Sequence, residues 1–176
     1  MTRPEDQPPG KNIGQGMLIA SFTLVLIALT IYFNDWLANQ SNPNQNPNFS
    51  ISDIGVREVV LKRNRQGHYV TNGHLNGTPV TFLLDTGATE VAIPSGVAVK
   101  AGLIRGLAQQ ASTANGVVTV YSTEIDELQI GNIVLYDIDA SVTPSMLGNT
   151  ILLGMSALRQ IEFTQRGSNL TLSQVP

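Results

Sequence analysis

The longest uninterrupted apolar stretch of the chain lies near its N-terminus. Met17 to Phe33 contains no charged residue and no proline. With its flanks, from Ile13 to Leu37, it approaches the roughly 20 residues that a helix needs to cross a bilayer. Tyr32 and Trp36 near its C-terminal end are of the aromatic types that favour the headgroup region. We predict an N-terminal tail over 1–12 and one transmembrane helix over 13–37.

The cations around this stretch predict its orientation. Arg3 and Lys11 precede it, and the next Lys or Arg is Arg57. Because cytoplasmic flanks are enriched in Lys and Arg, we expect a cytoplasmic N-terminus and an extracytoplasmic C-terminal part. Cleavage as a signal peptide is the alternative. The best small residue for it is Ala38, and bulky Trp36 occupies the position two before it, so an uncleaved anchor is favoured.

A polar stretch separates the apolar segment from the rest of the chain. Asn39 to Ser50 is dominated by Asn, Gln and Pro, and Phe49 is its one large apolar residue. Such composition is typical of a solvated tether. We predict a linker over 38–53 and a single globular domain over 54–176.

Short apolar runs and tight-turn signals alternate through the predicted domain. Asn76-Gly77 is a strong hairpin signal because both residues tolerate positive φ, and Asn115-Gly116 and Gly131-Asn132 mark two more hairpin tips. A fourth hairpin is predicted around Gly167. Pro79 to Leu84 has apolar residues on both faces, which is typical of a buried strand.

Two short helices and one long amphipathic strand complete the pattern. Ser95 to Ala101 is predicted as a helix with Ser95 as its N-cap, and Met155 to Arg159 as a second. From Val134 to Val142, apolar residues alternate with polar ones except at Leu135, which predicts one buried face. Many short strands at this spacing predict a closed or nearly closed all-β barrel, with one or two short helices, after the transmembrane helix.

Composition removes several classes of function. The formal net charge is −3, so no basic footprint points to nucleic acid. The absence of cysteine excludes disulfides and thiolate chemistry. His68 and His74 lie six residues apart, without the four-residue spacing of a helical metal pair. We therefore predict neither a metal nor any other cofactor.

One tripeptide carries candidate chemistry. Asp85-Thr86-Gly87, followed by Ala88, stands at the exit of the buried strand Pro79 to Leu84. The glycine permits a sharp turn and close neighbours, and Thr86 supplies a hydroxyl. The alternative is that Asp85 only caps the turn, a frequent use of Asp before such residues.

These residues resemble the retropepsins, the aspartic proteases of retroviral type, and especially their bacterial membrane-anchored relatives. In that family an apolar strand delivers Asp-Thr-Gly-Ala, matched here by residues 85 to 88, and a later pair of apolar residues before glycine is matched by Leu152, Leu153 and Gly154. The resemblance implies an acid-protease fold, with Asp85 catalytic. It also implies a flap hairpin around Ala114-Asn115-Gly116-Val117, which is poorer in glycine than viral flaps.

The resemblance further implies a homodimer, because aspartic proteolysis needs two carboxylates and this chain has one Asp-Thr-Gly. About 120 residues are too few for two catalytic lobes, so a two-fold axis would supply the second Asp85. In the family, the residue matching Thr86 hydrogen-bonds across the interface. The implied partners are a polypeptide substrate, a second copy and the lipid bilayer. The implied location is a bacterial inner membrane, with a periplasmic domain.

Three rival functions stay open at this point. A non-catalytic membrane-anchored binding module would keep the barrel without needing Asp85. A structural interaction domain would rely mainly on the anchor. A nucleotide-binding enzyme is disfavoured, because no Gly-x-Gly-x-x-Gly or Walker pattern accompanies the strand.

Overall fold

The computed structural model describes residues 11–113 and 116–176. The chain divides into two compact units, of which Ala38 ends the first and Asn39–Pro176 forms the second. Helix α1 (Lys11–Ser41) accounts for the described part of the first unit. Within it, Gly14–Ser41 is long and apolar enough to cross a membrane, although a signal sequence has the same properties.

The second unit consists mainly of β-strands. The strands are β1 (Asn48–Ile51), β2 (Arg57–Lys62), β3 (Val70–Leu75), β4 (Thr78–Leu84), β5 (Val91–Pro94), β6 (Ala108–Thr113), β7 (Gly116–Ile130), β8 (Ile133–Thr143), β9 (Thr150–Leu153), β10 (Glu162–Arg166) and β11 (Asn169–Gln174). Two short helices, α2 (Ser95–Lys100) and α3 (Met155–Leu158), interrupt them.

Seven of these strands form one sheet, and six of them close into a barrel, with β6 attached to β7 outside the ring. Their order is β3-β4-β9-β5-β8-β7-β6, and an additional β3–β7 pairing joins the two sides of the sheet. A smaller sheet, β1-β2-β11-β10, lies beside it. Large side chains fill the interior, including Phe82, Ile93, Ile125 and Leu153, which are fully buried. The predicted all-β barrel of the acid-protease type is therefore confirmed, and closure leaves fewer unpaired strand edges.

The hairpin predictions are confirmed where the structure describes them. Asn76 and Gly77 both have positive φ (48° and 75°) between β3 and β4. Gly131 (φ 58°) begins the β7–β8 turn, and Gly167 (φ 60°) lies between β10 and β11. The pairing Thr113–Gly116 joins β6 to β7 as a hairpin, whose tip residues Ala114 and Asn115 lie outside the described residues.

Two local predictions are wrong. Ser95 does not cap α2: Pro94 occupies the N-cap position and no side chain caps the helix. In β8, Leu135 is buried and Tyr136 exposed, opposite to the simple alternation, whereas Ile138 points inward again as predicted. Asp137 between them has φ 51°, and this left-handed residue changes which side of the strand faces the core.

The predicted tether is wrong over part of its length. Asn42 and Asn44 are buried, and β1 pairs with β2 from Asn48 onward. The Asn44 side-chain amide donates to the carbonyls of Lys62 (2.9 Å) and Val70 (2.7 Å), while its Oδ1 accepts from the Lys62 amide (2.7 Å). Polar residues usually favour solvent. The side-chain amide of asparagine both donates and accepts, so Asn44 can bond the backbone of β2 and β3 as a neighbouring strand would.

The backbone and neighbours of Asn44 extend this connection. The Asn44 carbonyl accepts from the Thr71 hydroxyl (3.1 Å) and the Asn72 amide (3.2 Å). Asn42 donates to Asn72 Oδ1 (2.8 Å) and also accepts from the Asn44 amide through its own Oδ1 (3.0 Å). We call the contacts of Asn42 and Asn44 the asparagine clasp. Through it, residues soon after α1 belong to the folded unit.

Candidate active site

Asp85 lies where two parallel strands end side by side. β4 pairs with β9 in parallel register, so that Leu84 faces Leu153. The Asp85 amide continues the ladder by donating to the Leu153 carbonyl (3.1 Å). The two sequence landmarks, Asp85 to Ala88 and Leu152 to Gly154, are therefore brought together, although 63 residues or more separate them along the chain.

The turn itself fixes the carboxylate. Asp85 Oδ1 accepts from the Gly87 amide (2.9 Å), and the Ala88 amide donates to the Asp85 carbonyl (3.2 Å). A Cβ at Gly87 would stand 3.2 Å from Asp85 Oδ1, so a larger residue there would crowd the carboxylate. Asp85 is partly exposed and Thr86 is exposed, which leaves both side chains available to another molecule.

Gly154 makes the closest approach to the Asp85 loop. A Cβ on it would collide with the Glu90 carbonyl and stand 2.8 Å from the Ala88 carbonyl oxygen. The φ of Gly154 is −85°, which any residue can adopt, so glycine is needed for space rather than for conformation. The second landmark therefore acts as a support for the loop that carries Asp85.

The start of α3 completes this support. Met155 donates its amide to the Ala88 carbonyl (2.8 Å), and Ser156 donates its amide to the Thr89 carbonyl (2.9 Å). The Ser156 hydroxyl accepts from the amide of Val91 (3.0 Å), and Ser156 is buried. Sequence reasoning missed Ser156. The available signal was a polar residue within the otherwise apolar stretch from Ile151 to Leu158.

The predicted flap residues lie on the β6–β7 hairpin. Gly116 and Val117 are exposed at its described end, and Val117 is 69% exposed although it is a large apolar residue. Ala114 and Asn115 lie outside the described residues. The flap function of this hairpin stays a prediction.

A groove of about 490 Å³ on the folded unit does not include Asp85 in its lining. Its lining includes Asn72, His74, Pro79, Lys100 and Gln129. Asp85 is partly exposed and lies outside this groove, so the candidate site is defined by the geometry around Asp85. Among the described residues, no group of His, Asp and Glu could hold a metal ion.

Comparison with known proteins identifies the family. The model of the family described as "gag-polyprotein putative aspartyl protease" matches residues 71–160, more than half of the chain. The chain therefore belongs to this family of retropepsin-like aspartic proteases. The matched residues include both landmarks, Asp85 to Ala88 and Leu152 to Gly154.

Individual proteins are also similar to this chain. A retropepsin-like aspartic protease from Rickettsia conorii matches with 28% identity and a TM-score of 0.59, covering 72% of this chain and 96% of that one. The protease of EIAV, solved with the inhibitor HBY-793, matches with 22% identity and a TM-score of 0.41, covering 52% and 85%. An uncharacterized Sinorhizobium protein in the cobV 5'region is 33% identical over 114 residues, which cover 63% of this chain. The match spans about half (49%) of that relative.

Proposed function

We propose that this protein is a membrane-anchored aspartic endopeptidase whose active site forms when two copies pair, each contributing Asp85. The observation that carries the proposal is the position of Asp85. It stands on a hydrogen-bonded turn, supported by Gly154, in a family of aspartic proteases. A residue that only capped its own turn would not need this support from a distant part of the chain.

The chemistry requires two carboxylates with different tasks. One, ionised, takes a proton from a water molecule, which then attacks the scissile carbonyl. The other, protonated, donates a hydrogen bond to that carbonyl and later a proton. Two carboxylates about 3 Å apart share one proton, and aspartic proteases are the standard example of this arrangement. Activity should therefore fall at both high and low pH.

The second carboxylate would come from a second copy. The chain has one Asp-Thr-Gly, and its barrel forms a single lobe. A two-fold axis beside the exposed Thr86 would bring two identical turns together. Anchoring in one membrane would raise the effective concentration of the partner.

The anchor and its orientation are also part of the proposal. α1 contains a stretch of sufficient length and apolarity, and Arg3 and Lys11 precede it. We propose a single-pass protein of a bacterial inner membrane with the barrel on the periplasmic side. A reporter fused after Pro176 should be active only outside the cytoplasm, and activity of a cytoplasmic reporter would contradict this orientation.

The decisive experiment mixes active and inactive chains. The folded unit Asn39–Pro176, which keeps the asparagine clasp, would be purified as wild type and as Asp85→Asn, a nearly isosteric change that removes the ionisable group. We expect Asp85→Asn alone to lose peptide hydrolysis and to keep its circular dichroism spectrum. Wild-type rates from Asp85→Asn would refute the catalytic role of Asp85.

Mixtures then test whether the site is shared. After subunit exchange, a wild-type fraction f should give activity proportional to f squared, because heterodimers hold only one catalytic carboxylate. A self-sufficient monomer would give activity linear in f. A linear curve after demonstrated exchange would contradict the shared site even if Asp85 is essential.

A further inference from the structure

Half of the Lys and Arg residues of the folded unit lie at one end of it. The unit Asn39–Pro176 has eight such residues against ten Asp and Glu. Four of the cations are exposed on two neighbouring loops and the strand ends beside them: Lys62, Arg63, Arg65 and Arg166. We call these four residues the basic surface. The basic surface therefore carries local positive charge, although the folded unit as a whole is acidic.

Strand register holds the basic surface together. Lys62 and Arg166 both align with Asn169, so they lie in one row across β2, β11 and β10, on the same face and about 10 Å apart. The Arg63 amide donates to the Ser168 carbonyl (2.8 Å), which joins the two loops. The four positive charges consequently lie on a preformed surface.

No Asp or Glu lies in the chain segments that carry these four cations or directly adjoin them. Residues 36–52, 59–84 and 163–175 contain no Asp or Glu. Within residues 11–113 and 116–176, the one recorded ion pair joins Arg159 to Asp139, so none of the four cations is neutralised in that way. Four residues away along the same strands, Glu58 and Glu162 both align with Ser173. On this face of the small sheet, the charge therefore changes from positive to negative. A negatively charged surface would attract the basic end and repel the acidic end.

The last residues of α1 contact the loop that carries Arg63 and Arg65. Asn64, between Arg63 and Arg65, donates its side-chain amide to the Ser41 carbonyl (2.9 Å). Arg65 donates to Gln40 Oε1 (3.3 Å). Gln40 and Ser41 are among the first residues of the folded unit and the last of α1. Covalent continuity keeps the four cations near the end of that helix, whatever angle the helix takes.

The length of the apolar stretch identifies what the cations would meet. A hydrocarbon core about 30 Å thick takes about 20 helical residues, so a core that begins near Ile13 ends near Phe33, the last residue of the uncharged stretch. Gln40 then lies about 10 Å beyond that edge, at a rise of about 1.5 Å per residue. This is close to the outer side of the lipid headgroups. The long side chain of Arg65, which donates to Gln40, would reach the lipid phosphates from there.

A second copy of the chain fits this surface less well. A two-fold contact here would bring eight cations together, and the centres of protein interfaces are depleted of charge. We propose that the basic surface docks on anionic phospholipid headgroups. This proposal rests on the membrane anchor of the proposed function. Each Lys or Arg near such a surface strengthens binding by about fivefold. Docking would hold the barrel in one orientation on the bilayer.

The test uses the full chain in lipid nanodiscs. Because the protein has no cysteine, Gln66→Cys provides a unique attachment site for a fluorophore on the exposed turn beside Arg65. A quencher attached to lipid headgroups then reports how close the turn lies to them. His74→Cys, exposed and farther along β3, gives a second labelled position for comparison.

We expect stronger quenching of the position-66 label in discs containing phosphatidylglycerol than in discs of phosphatidylcholine alone. The excess should disappear at about 0.5 M salt, where the screening length is only about 4 Å. It should also disappear when Lys62, Arg63, Arg65 and Arg166 are all changed to Gln. The matched control changes the other four cations of the unit, Arg57, Lys100, Arg105 and Arg159, to Gln, and should retain the excess.

Other results would overturn the proposal in distinguishable ways. Quenching that is equal in both lipids, or that survives neutralisation of the basic surface, would show that the surface does not recognise anionic lipid. Loss of the excess equally in the matched control would assign it to net charge. A chain that does not enter nanodiscs would refute the anchor as well. Peptide hydrolysis measured in the same samples reports separately on the protease, because the basic surface is not part of the catalytic site.

Discussion

The Asp85 loop and the β6–β7 hairpin are built in opposite ways. The loop is enclosed by backbone contacts from Gly154 and α3, and its neighbours Val91 and Ser156 are buried. The hairpin extends from the barrel with most of its residues exposed, among them Val117. Catalytic groups require fixed positions, whereas a hairpin that covers a substrate has to open. The difference between these regions is what a protease of the proposed type requires.

The largest effect is expected from Gly154→Ala, which places a methyl group against backbone atoms of Glu90 and Ala88. Because backbone cannot move aside as a flexible side chain can, we expect a loss of about 3 kcal/mol in the free energy of unfolding. Chemical denaturation of the folded unit measures it. Gly96→Ala is the matched control, since no atom lies within 4 Å of its added Cβ. Equal stability of the two variants would contradict the tight enclosure of the loop.

A smaller effect is expected from Ser156→Ala. The change removes the acceptor of the Val91 amide and leaves a buried donor without its partner, which costs about 2 kcal/mol. The comparison is with Ser112→Ala on the exposed strand β6, where we expect a change within about 0.5 kcal/mol. If both serines contribute equally to the free energy of unfolding, the contrast between loop and hairpin is wrong.

The smallest effect on stability, with a separate effect on activity, is expected from Val117→Ala. Because Val117 is 69% exposed, its truncation should change the free energy of unfolding by less than about 0.5 kcal/mol. If the hairpin covers the substrate, KM should rise several-fold. Val99→Ala, at a position 73% exposed on α2, should leave KM unchanged. An unchanged KM in Val117→Ala would argue against contact between this side chain and substrate.

The sequence was most informative where local chemistry determines the structure. Asn76-Gly77, Gly131 and Gly167 predicted their turns because positive φ restricts the choice of residue. The Leu152-Leu153-Gly154 landmark was recognised from the family resemblance, but its pairing with the Asp85 strand was not predicted, since residues far apart in sequence show no local signal of contact. The sequence therefore located the turn that carries Asp85, whereas the contact of Ser156 with Val91 became visible only in the structure.

Prediction failed where tertiary contacts override local preference. The alternation in β8 changes at Asp137, because its left-handed conformation moves Leu135 inward and Tyr136 outward. The Asn- and Gln-rich segment was expected in solvent by composition, but Asn44 finds backbone partners on both β2 and β3. A prediction from composition assumes that burying polar residues is unfavourable. Hydrogen bonds to backbone partners remove that cost for the buried asparagines.

In the proposed membrane-anchored protease, the asparagine clasp would also limit how far the domain can reach from its anchor. A free, flexible tether of 12 residues would let a domain range about 20 Å from its anchor. With Asn42 and Asn44 bound into the folded unit, almost none of that length is available. The proposed protease could then not search the surrounding compartment for substrates. It would cut only those polypeptides that come close to its anchor.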